Sequence, residues 1–460
     1  MMKKLLFVLI TLLMTNASFA QKENYKVAFD KFQADYNAGK YEDIFNSFAS
    51  VMKEALPLEN TIQFLTALKI QVGNMDSKEF VRDNMGTYAT YKTKFEKAVL
   101  EVNISLDEGN LINGLFFKPY EEPKEIVPAS VNALDAYPEE LAGIIFAKTK
   151  DLPVNTQLSI AIIRDGKTAY YGIIRANDTI KAAENQNRVF EIGSISKVFA
   201  SAVLASLVEE GTIKLAGLVN DFYPFPFKDN IEISFESLAN HTSGLPRLPK
   251  NLDLSNEVNP YKNYGKKEID EYLAQWLKLE NEPSTVSSYS NLGVGLMGYT
   301  LGLSQKTNYQ QLLQKRIFDK YGMANSYTTS RNLGDKLVKG MDVEGEIVAN
   351  WDFDVLFAAG GVLSSTEDLS KFLYAQFNPD NTELALMRKP TFVINENMTM
   401  GLGWFIVKSA SGKDVHWHNG GTGGYSSSMA VNVEDQTGVI ILSNVAGINE
   451  AIDALCFELL

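Results

Sequence analysis

The sequence predicts an α+β protein. Its larger domain combines an antiparallel sheet flanked by helices with a mostly helical region, and a small helix-backed antiparallel-sheet domain precedes it. Within residues 21–118, apolar stripes at helical spacing precede a strand-like alternation. A hairpin pattern covers residues 158–175, and strand patterns return in the last sixty residues after a long helical middle. Strands at both ends with helices between them indicate one antiparallel sheet completed by distant segments.

The composition excludes several classes of protein. A length of 460 residues favours two or three domains, and the 45% hydrophobic and 22% charged content excludes disordered and collagen-like chains. Three histidines and one cysteine, Cys456, are too few for a cysteine-based zinc site or a disulfide framework. The net charge of −13 argues against a nucleic-acid partner, which needs clustered cations. We therefore expect no metal, no other cofactor and no nucleic acid.

The first twenty residues have the pattern of a secretory signal peptide. Lys3 and Lys4 precede the apolar run Leu5–Met14, which is too short to span a bilayer. Small residues up to Ala20 provide a cleavage site before Gln21. We expect export to a periplasm or the medium and no stable membrane span; the alternative is an N-terminal membrane anchor.

Residues 21–118 form the first predicted domain. Apolar residues at helical spacing, including Phe29, Phe32 and Tyr36, predict helices in its first part. From Ala98 to Asp107 apolar and polar residues alternate, which predicts a strand with one solvated face, and Leu111–Phe117 follows as the returning strand. This arrangement resembles the small NTF2-like domains fused to secreted bacterial enzymes. No catalytic constellation is present in it.

A proline-rich and acidic stretch, residues 119–138, is the predicted linker. The second domain, residues 139–460, opens with a predicted strand, Leu158–Arg164, an Asp165-Gly166 turn and a returning strand, Ala169–Arg175. The predicted elements near its end are Gly401–Val407, Val415–His418, Ser427–Asn432, Gly438–Leu442 and the helix Asn449–Leu459.

The strongest candidate for a nucleophile lies in Phe190–Lys197, ahead of an apolar helix. If Ser194 opens that helix, Lys197 lies one turn further along the same face. A serine hydroxyl needs an adjacent proton acceptor to become nucleophilic, and a helix N-terminus favours the anion that develops during attack. A second Ser-x-x-Lys pattern, Ser50–Lys53, lies in an amphipathic helix without a flanking glycine and is interpreted as a solvated face.

Two further motifs follow in order. Tyr289–Asn291 precedes the glycine-containing run Leu292–Gly298, in which we interpret the glycines as close helix packing rather than a dinucleotide loop, because no strand precedes them. The similar Tyr261–Asn263 is interpreted as a chance match in a loop without an apolar frame. Trp417–Tyr425 contains His418 and a glycine-rich edge that a substrate backbone could approach closely.

These three motifs resemble those of the serine β-lactamase and penicillin-binding peptidase superfamily, in its class C branch. The resemblance spans about residues 140–460. The supporting segments that resemble the same branch are His241–Pro246, Gly360–Ser365 and Gly401–Trp404. It implies a serine hydrolase with an acyl-serine intermediate that acts on a small-molecule or peptidoglycan-like substrate. Hydrolysis of β-lactam or related amide bonds is the leading expectation. The alternatives are a D-amino-acid peptidase or esterase, and a penicillin-binding sensor that is acylated without turnover.

The resemblance also implies a role for each site residue. Ser194 attacks the carbonyl, Lys197 and Tyr289 accept and relay its proton, and Asn291 orients Lys197 and the acyl group. The backbone N–H groups of Ser194 and Gly421 hold the oxyanion. The implied catalytic residues are Ser194, Lys197, Tyr289 and His418, and the implied substrate-binding residues are Asn291, Gly420 and Gly421.

The third motif departs from the family pattern. Class C β-lactamases have Lys-Thr-Gly there, whereas this chain has His418-Asn419-Gly420. A permanent cation is thus replaced by a group that is about neutral at pH 7. Both the attraction for a substrate carboxylate and the depression of the Tyr289 pKa, which a base needs, are expected to be weaker.

A substitution tests this interpretation of His418. We predict that His418→Lys raises kcat/KM for carboxylated β-lactams by roughly tenfold, because it adds a charge-assisted hydrogen bond to the substrate. Steady-state hydrolysis of a cephalosporin measures the effect, with circular dichroism as the check on folding. An unchanged or lower rate in a folded variant would contradict this role.

Overall fold

The chain divides into two compact units, Met1–Lys124 and Glu125–Leu460. The computed structural model describes residues 23–83, 88–107, 109–120, 126–253, 256, 258–409 and 411–460. The predicted signal peptide, Glu108 between the two predicted strands of the first domain, and residues 121–125 of the predicted linker lie outside the described residues. None of the described helices is both long enough and apolar enough to cross a membrane.

The first unit is a four-stranded antiparallel sheet backed by helices, as predicted. The strand order is β1-β2-β3-β4. Its elements are α1 (23–38), α2 (Tyr41–Asn46), α3 (Ser50–Ala55), α4 (Leu58–Val72), β1 (Met75–Asp83), β2 (Ala89–Phe95), β3 (Val99–Leu106) and β4 (Ile112–Pro119).

The core of this unit forms where the helices cover one sheet face. Phe29 and Phe32 of α1 pack with Val102 and Ile104 of β3, and all four side chains are buried. The alternation along β3 therefore produces one apolar face against the helices, as predicted. The prediction that the other face is solvated is wrong for Glu101 and Asn103, which are 7% and 6% exposed. β1 was not predicted, because its residues Met75–Asp83 are mostly polar or charged.

The second unit contains both strands and helices. Its strands are β5 (Val131–Ala133), β6 (Gln157–Arg164), β7 (Lys167–Tyr170), β8 (Gly172–Ala176), β9 (Thr179–Ala183), β10 (Phe190–Glu191), β11 (Leu363–Ser364), β12 (Phe392–Asn395), β13 (Met398–Met400), β14 (Phe405–Lys408), β15 (Asp414–Gly421), β16 (Ser426–Asn432) and β17 (Thr437–Ser443). Its helices are α5 (Glu139–Thr149), α6 (Ser196–Glu209), α7 (Phe235–Ala239), α8 (Lys266–Glu271), α9 (Asn291–Ser304), α10 (Tyr309–Leu313), α11 (Thr366–Gln376), α12 (Thr382–Met387) and α13 (Asn449–Leu459).

Short helical turns complete this unit. Turns of 3-10 type are Gly193–Ile195, Val219–Phe222, Lys228–Asn230, Gly334–Lys336 and Phe357–Ala359. Turns of π type are Tyr272–Trp276 and Gln314–Phe318.

The large sheet joins the two ends of the second unit. Its order is β12-β13-β14-β15-β16-β17-β6-β8-β9-β5, with β7 also paired to β6. The pairing of β17 with β6 is antiparallel and places Gly438 opposite Ile163. This confirms the predicted fold class. Val131–Ala133, inside the stretch expected to be linker, forms β5 and pairs in parallel with β9.

The sheet has a helical layer on each face. Leu455 of α13 and Ile145 of α5 belong to one buried apolar cluster with Ile441 of the sheet. On the other face, α6 packs in a separate and larger cluster, and its residues Ser196–Leu207 are all buried. A helix that is apolar all round must lie inside the protein, so α6 is fixed on every side.

The expected strand Gly401–Val407 begins only at Phe405. Gly403 has φ +71°, and a Cβ there would lie 2.6 Å from Ser201 Oγ and 2.9 Å from the Lys197 carbonyl oxygen. A glycine is therefore required to let this turn pack directly against α6. Gly401–Trp404, one of the segments that resemble the class C branch, therefore packs against α6, the helix that carries Lys197.

Candidate active site

A tight turn presents Ser194 at the start of α6. β10 pairs with β11, and Gly193, with φ +50°, then leads into the 3-10 turn Gly193–Ile195. A Cβ at Gly193 would lie 2.6 Å from the Gly421 nitrogen. Only glycine combines this φ with so close an approach of two backbones. The half-buried Ser194 is thus held beside the strand that carries the third motif.

The amine of Lys197 lies at the centre of the site. Its Nζ is 2.9 Å from Ser194 Oγ, 2.9 Å from Asn291 Oδ1 and 2.7 Å from the Ala359 carbonyl oxygen. The side chain is 0% exposed. Burial, with the nearby Arg247 charge, holds the Lys197 pKa well below its usual value. The sequence did not identify Ala359 as a partner.

Tyr289 lies beside Ser194 and two basic side chains, Lys197 and Arg247. The Ser194 hydroxyl interacts with the Tyr289 phenol and acts to lower its pKa. Lys197 Nζ lies 4.7 Å and Arg247 Cζ 5.3 Å from the centre of the Tyr289 ring. Burial raises the Tyr289 pKa to about 12, although Ser194 and Arg247 act in the opposite direction. The pKa depression that a tyrosinate base requires is therefore absent, and Tyr289 is a neutral phenol near pH 7.

Asn291 begins α9, directly after the Ser290 cap, whose Oγ accepts a 2.8 Å bond from Gly293 N. Asn291 Nδ2 donates to Tyr261 Oη at 3.0 Å, which turns Oδ1 towards Lys197. Tyr261 is 6% exposed and stacks on Phe353 at 4.7 Å. The expectation that Tyr261–Asn263 lies in a loop without an apolar frame is therefore wrong, because aromatic side chains pack around Tyr261. The aromatic residue that frames Tyr261 is distant in sequence, so no local pattern indicated it.

The glycines of α9 allow close helix packing, as interpreted from the sequence. A Cβ at Gly298 would collide with Ala358 Cβ, and one at Gly295 would lie 2.6 Å from Leu356 Cδ2. These glycines permit close packing of α9 against the segment that leads to Ala359.

His418 is buried and uncharged. It is 1% exposed, and burial together with the Lys197 charge lowers its pKa to about 3. His418 Nδ1 lies 2.6 Å from the Asn419 carbonyl oxygen, so Nδ1 carries the proton and donates it there. Nε2 has no hydrogen-bond partner among the described residues. The ring centre lies 6.2 Å from that of Tyr289, which places His418 in the site as a neutral side chain.

The end of β15 faces the nucleophile turn. Its pairing with β14 ends at Trp417 opposite Phe405, whereas its pairing with β16 continues to Gly421. A Cβ at Gly420 would collide with the Ile192 carbonyl oxygen and lie 2.8 Å from Ser194 N. The backbones of Ser194 and Gly421 consequently lie side by side, as two converging N–H donors require.

Helix α13 supports this strand from behind. Asn449 Nδ2 donates to the Gly420 carbonyl oxygen at 2.7 Å, and Asn419 Nδ2 donates to Asp453 Oδ2 at 2.6 Å. Burial raises the Asp453 pKa to about 6. The sequence predicted the helix but not these contacts, because they depend on how the helix packs on the sheet.

Glu191 fixes another wall of the site. Its Oε1 accepts bonds from Asn350 Nδ2 at 2.7 Å and from Trp351 N at 3.0 Å. Trp351 in turn lies 5.5 Å from the Tyr261 ring. Among the described residues, no three His, Cys, Asp or Glu side chains converge as ligands for a metal ion.

Comparison with known proteins identifies the family. Residues 155–454 match the family model named Beta-lactamase. The chain belongs to the β-lactamase family. Members of this family that resemble it are serine hydrolases that act through an acyl-serine, so the chain is an enzyme of this kind. Residues 30–115 match a family described as a protein of unknown function, DUF3887.

Relatives of this β-lactamase-family chain carry two kinds of name. A β-lactamase of Pseudomonas fluorescens is 26% identical over 326 residues, which cover 62% of this chain and 88% of the relative. The D-alanyl-D-alanine-carboxypeptidase/endopeptidase AmpH of Escherichia coli K12 is 24% identical over 311 residues, covering 62% and 79%. A solved β-lactamase/D-alanine carboxypeptidase from Pseudomonas syringae shares the fold: its TM-score is 0.58 at 22% identity, covering 70% of this chain and 98% of its own.

The close contact at Gly420 generates a prediction. Gly420→Ala should lower kcat by about 10²–10³-fold, because the added methyl forces β15 away from Ser194 N and disrupts the oxyanion donors. Steady-state kinetics on any hydrolysed substrate measure this loss. The matched control is Gly143→Ala in α5, where a Cβ meets no atom within 4 Å. Equal activity of the two variants would contradict the prediction.

Proposed function

We propose that this chain is an exported serine hydrolase that cleaves β-lactam or related amide bonds through an ester on Ser194. The observation that carries this proposal is the buried Lys197 amine, 2.9 Å from Ser194 Oγ. The membership of the β-lactamase family supports the chemistry, and the leader-like residues 1–20 support export.

Acylation begins with transfer of the Ser194 proton to Lys197. Asn291 Oδ1 and the Ala359 carbonyl oxygen only accept hydrogen bonds, so they take the two protons of a neutral amine. The remaining lone pair then points at Ser194 Oγ and can receive its proton. The lowered Lys197 pKa supplies the neutral amine that this step needs.

The neighbouring groups complete the cycle. The oxygen of the attacked carbonyl becomes negative between the N–H groups of Ser194 and Gly421, which stabilise it. Tyr289, a neutral phenol beside Ser194, relays a proton to the departing nitrogen. Water then attacks the acyl-serine, the serine oxygen recovers its proton, and the free acid leaves.

A D-amino-acid peptidase is the second candidate. His418 is neutral where class C β-lactamases have a lysine, and relatives include both a β-lactamase and a D-alanyl-D-alanine carboxypeptidase. An esterase would use the same groups. A sensor that stays acylated is disfavoured, because the Lys197, Tyr289 and Ser194 contacts are intact.

A panel of substrates tests the proposal. Residues 21–460 and the Ser194→Ala variant are each incubated with a chromogenic cephalosporin, a phenolic ester and a D-Ala-D-Ala peptide. We expect the parent to cleave the cephalosporin or the peptide, and the variant to lose about 10³-fold or more in kcat. Full activity of Ser194→Ala on every cleaved substrate would refute the mechanism. Stoichiometric labelling without turnover would favour the sensor.

The pH dependence tests the assignment of the base. Lys197 must be neutral, so kcat/KM should fall as the pH drops through its lowered pKa and the amine takes up a proton. Tyr289, with a pKa of about 12, adds no loss near neutral pH. We predict the same acid-limb midpoint in the parent and in His418→Gln, because the His418 pKa is about 3. Disappearance of that limb in His418→Gln would assign it to His418 instead.

A further inference from the structure

We propose that Arg247 is the carboxylate-binding residue of this site and selects substrates that carry a free carboxylate, an inference that rests on the proposed function. Arg247 lies in a loop and supplies the positive charge that the third motif of this chain lacks. The shared chemistry is a carboxylate beside the scissile amide, whether it belongs to a β-lactam or to the end of a peptide.

The backbone of Arg247 is tied to the second motif. Its carbonyl oxygen accepts bonds from Asn291 N at 3.0 Å and from Leu292 N at 3.1 Å, at the start of α9. The side chain then extends along Tyr289, with Cζ 5.3 Å from the ring centre. Lys197 Nζ, 2.9 Å from Ser194 Oγ, also lies 4.7 Å from the centre of this ring, so the guanidinium stands about one aromatic ring away from the nucleophile.

The Arg247 guanidinium has no counter-ion within the described residues. No Asp or Glu carboxylate among them lies within ion-pair distance of it, and its buried Nε has no hydrogen-bond partner. Two other arginines are satisfied: Arg316 pairs with Glu210, and Arg175 donates to four backbone carbonyl oxygens. An unpaired, partly buried guanidinium in a catalytic cleft can bind an anion through charge-assisted hydrogen bonds.

The other basic side chains of the site do not supply this charge. Burial leaves His418 neutral, and Lys197 is occupied by Ser194, Asn291 and the Ala359 carbonyl oxygen. Arginine stays protonated at any pH the enzyme meets, and its planar fork matches both oxygens of a carboxylate. A substrate carboxylate therefore finds its permanent cation at Arg247 rather than on β15.

Two other roles for Arg247 make different predictions. If it only tunes Tyr289 through its charge, its loss changes the rate for charged and neutral substrates alike. If it only packs, its loss lowers stability without discrimination between substrates. Only carboxylate binding makes the effect depend on whether the ligand carries the charge.

The test measures binding with the nucleophile removed. Ser194→Ala protein is titrated calorimetrically with a D-Ala-D-Ala peptide and its C-terminal amide, and with benzylpenicillin and its methyl ester. We expect the acid of at least one pair to bind about 10–100-fold more tightly than its neutral partner, and Arg247→Gln to abolish that preference. The pair that loses its preference identifies the source of the carboxylate.

Matched variants make the result decisive. Lys250→Gln removes a charge from the same loop, where Lys250 Nζ lies 4.4 Å from the Trp276 ring, and should leave the preference intact. Arg247→Lys keeps the charge without the fork and should retain part of it, which also provides a reading if Arg247→Gln does not fold. In the active enzyme, Arg247→Gln should raise KM for the acid more than it lowers kcat.

Equal binding of acid and neutral forms by the Arg247 protein, including no binding of either, would overturn the proposal. So would a preference that survives both Arg247 substitutions. Failure of the parent to hydrolyse any substrate would refute the proposed function alone, because the binding comparison does not depend on turnover.

Discussion

The catalytic site depends on the burial of one amine. Lys197 belongs to a helix that is enclosed on every side, and its Nζ contacts two oxygens that can only accept hydrogen bonds. Removing an ammonium group from water is costly, so the protein favours the neutral amine that a base requires. Because the same burial raises the Tyr289 pKa and lowers that of His418, one constraint sets the protonation of all three side chains.

Close packing of two backbone segments positions the turn that carries Ser194 against the end of β15. Gly193 and Gly420 let the nucleophile turn and the end of β15 approach within a distance that no side chain would permit. Behind them, Asn449 and Asp453 of α13 hold the strand through the Gly420 carbonyl oxygen and the Asn419 amide. The proposed oxyanion donors thus derive their positions from a helix layer on the far face of the sheet, rather than from the loop alone.

Patterns that are local in sequence predicted much of this molecule. The alternation in β3, the hairpin signal at β6 and the helix Asn449–Leu459 were recognisable because their periodicity is local. Contacts between distant segments were not: Ala359, Tyr261 and Arg247 reach the site through the packing of loops that show no periodicity. The sequence also did not predict that the Tyr289 pKa is raised, because the burial of the ring outweighs the effect of the nearby charge.

The pairing of β17 with β6 has a consequence for how the enzyme becomes active. Ser194 and Lys197 lie on the chain long before β15, yet β15 takes its place only in a sheet closed by strands from opposite ends of the domain. Such long-range closure is entropically demanding and makes folding slow. An incompletely folded chain therefore lacks the close approach of Gly421 to Ser194, on which the proposed pair of oxyanion donors depends. The proposed catalytic site is therefore complete only in the fully folded domain.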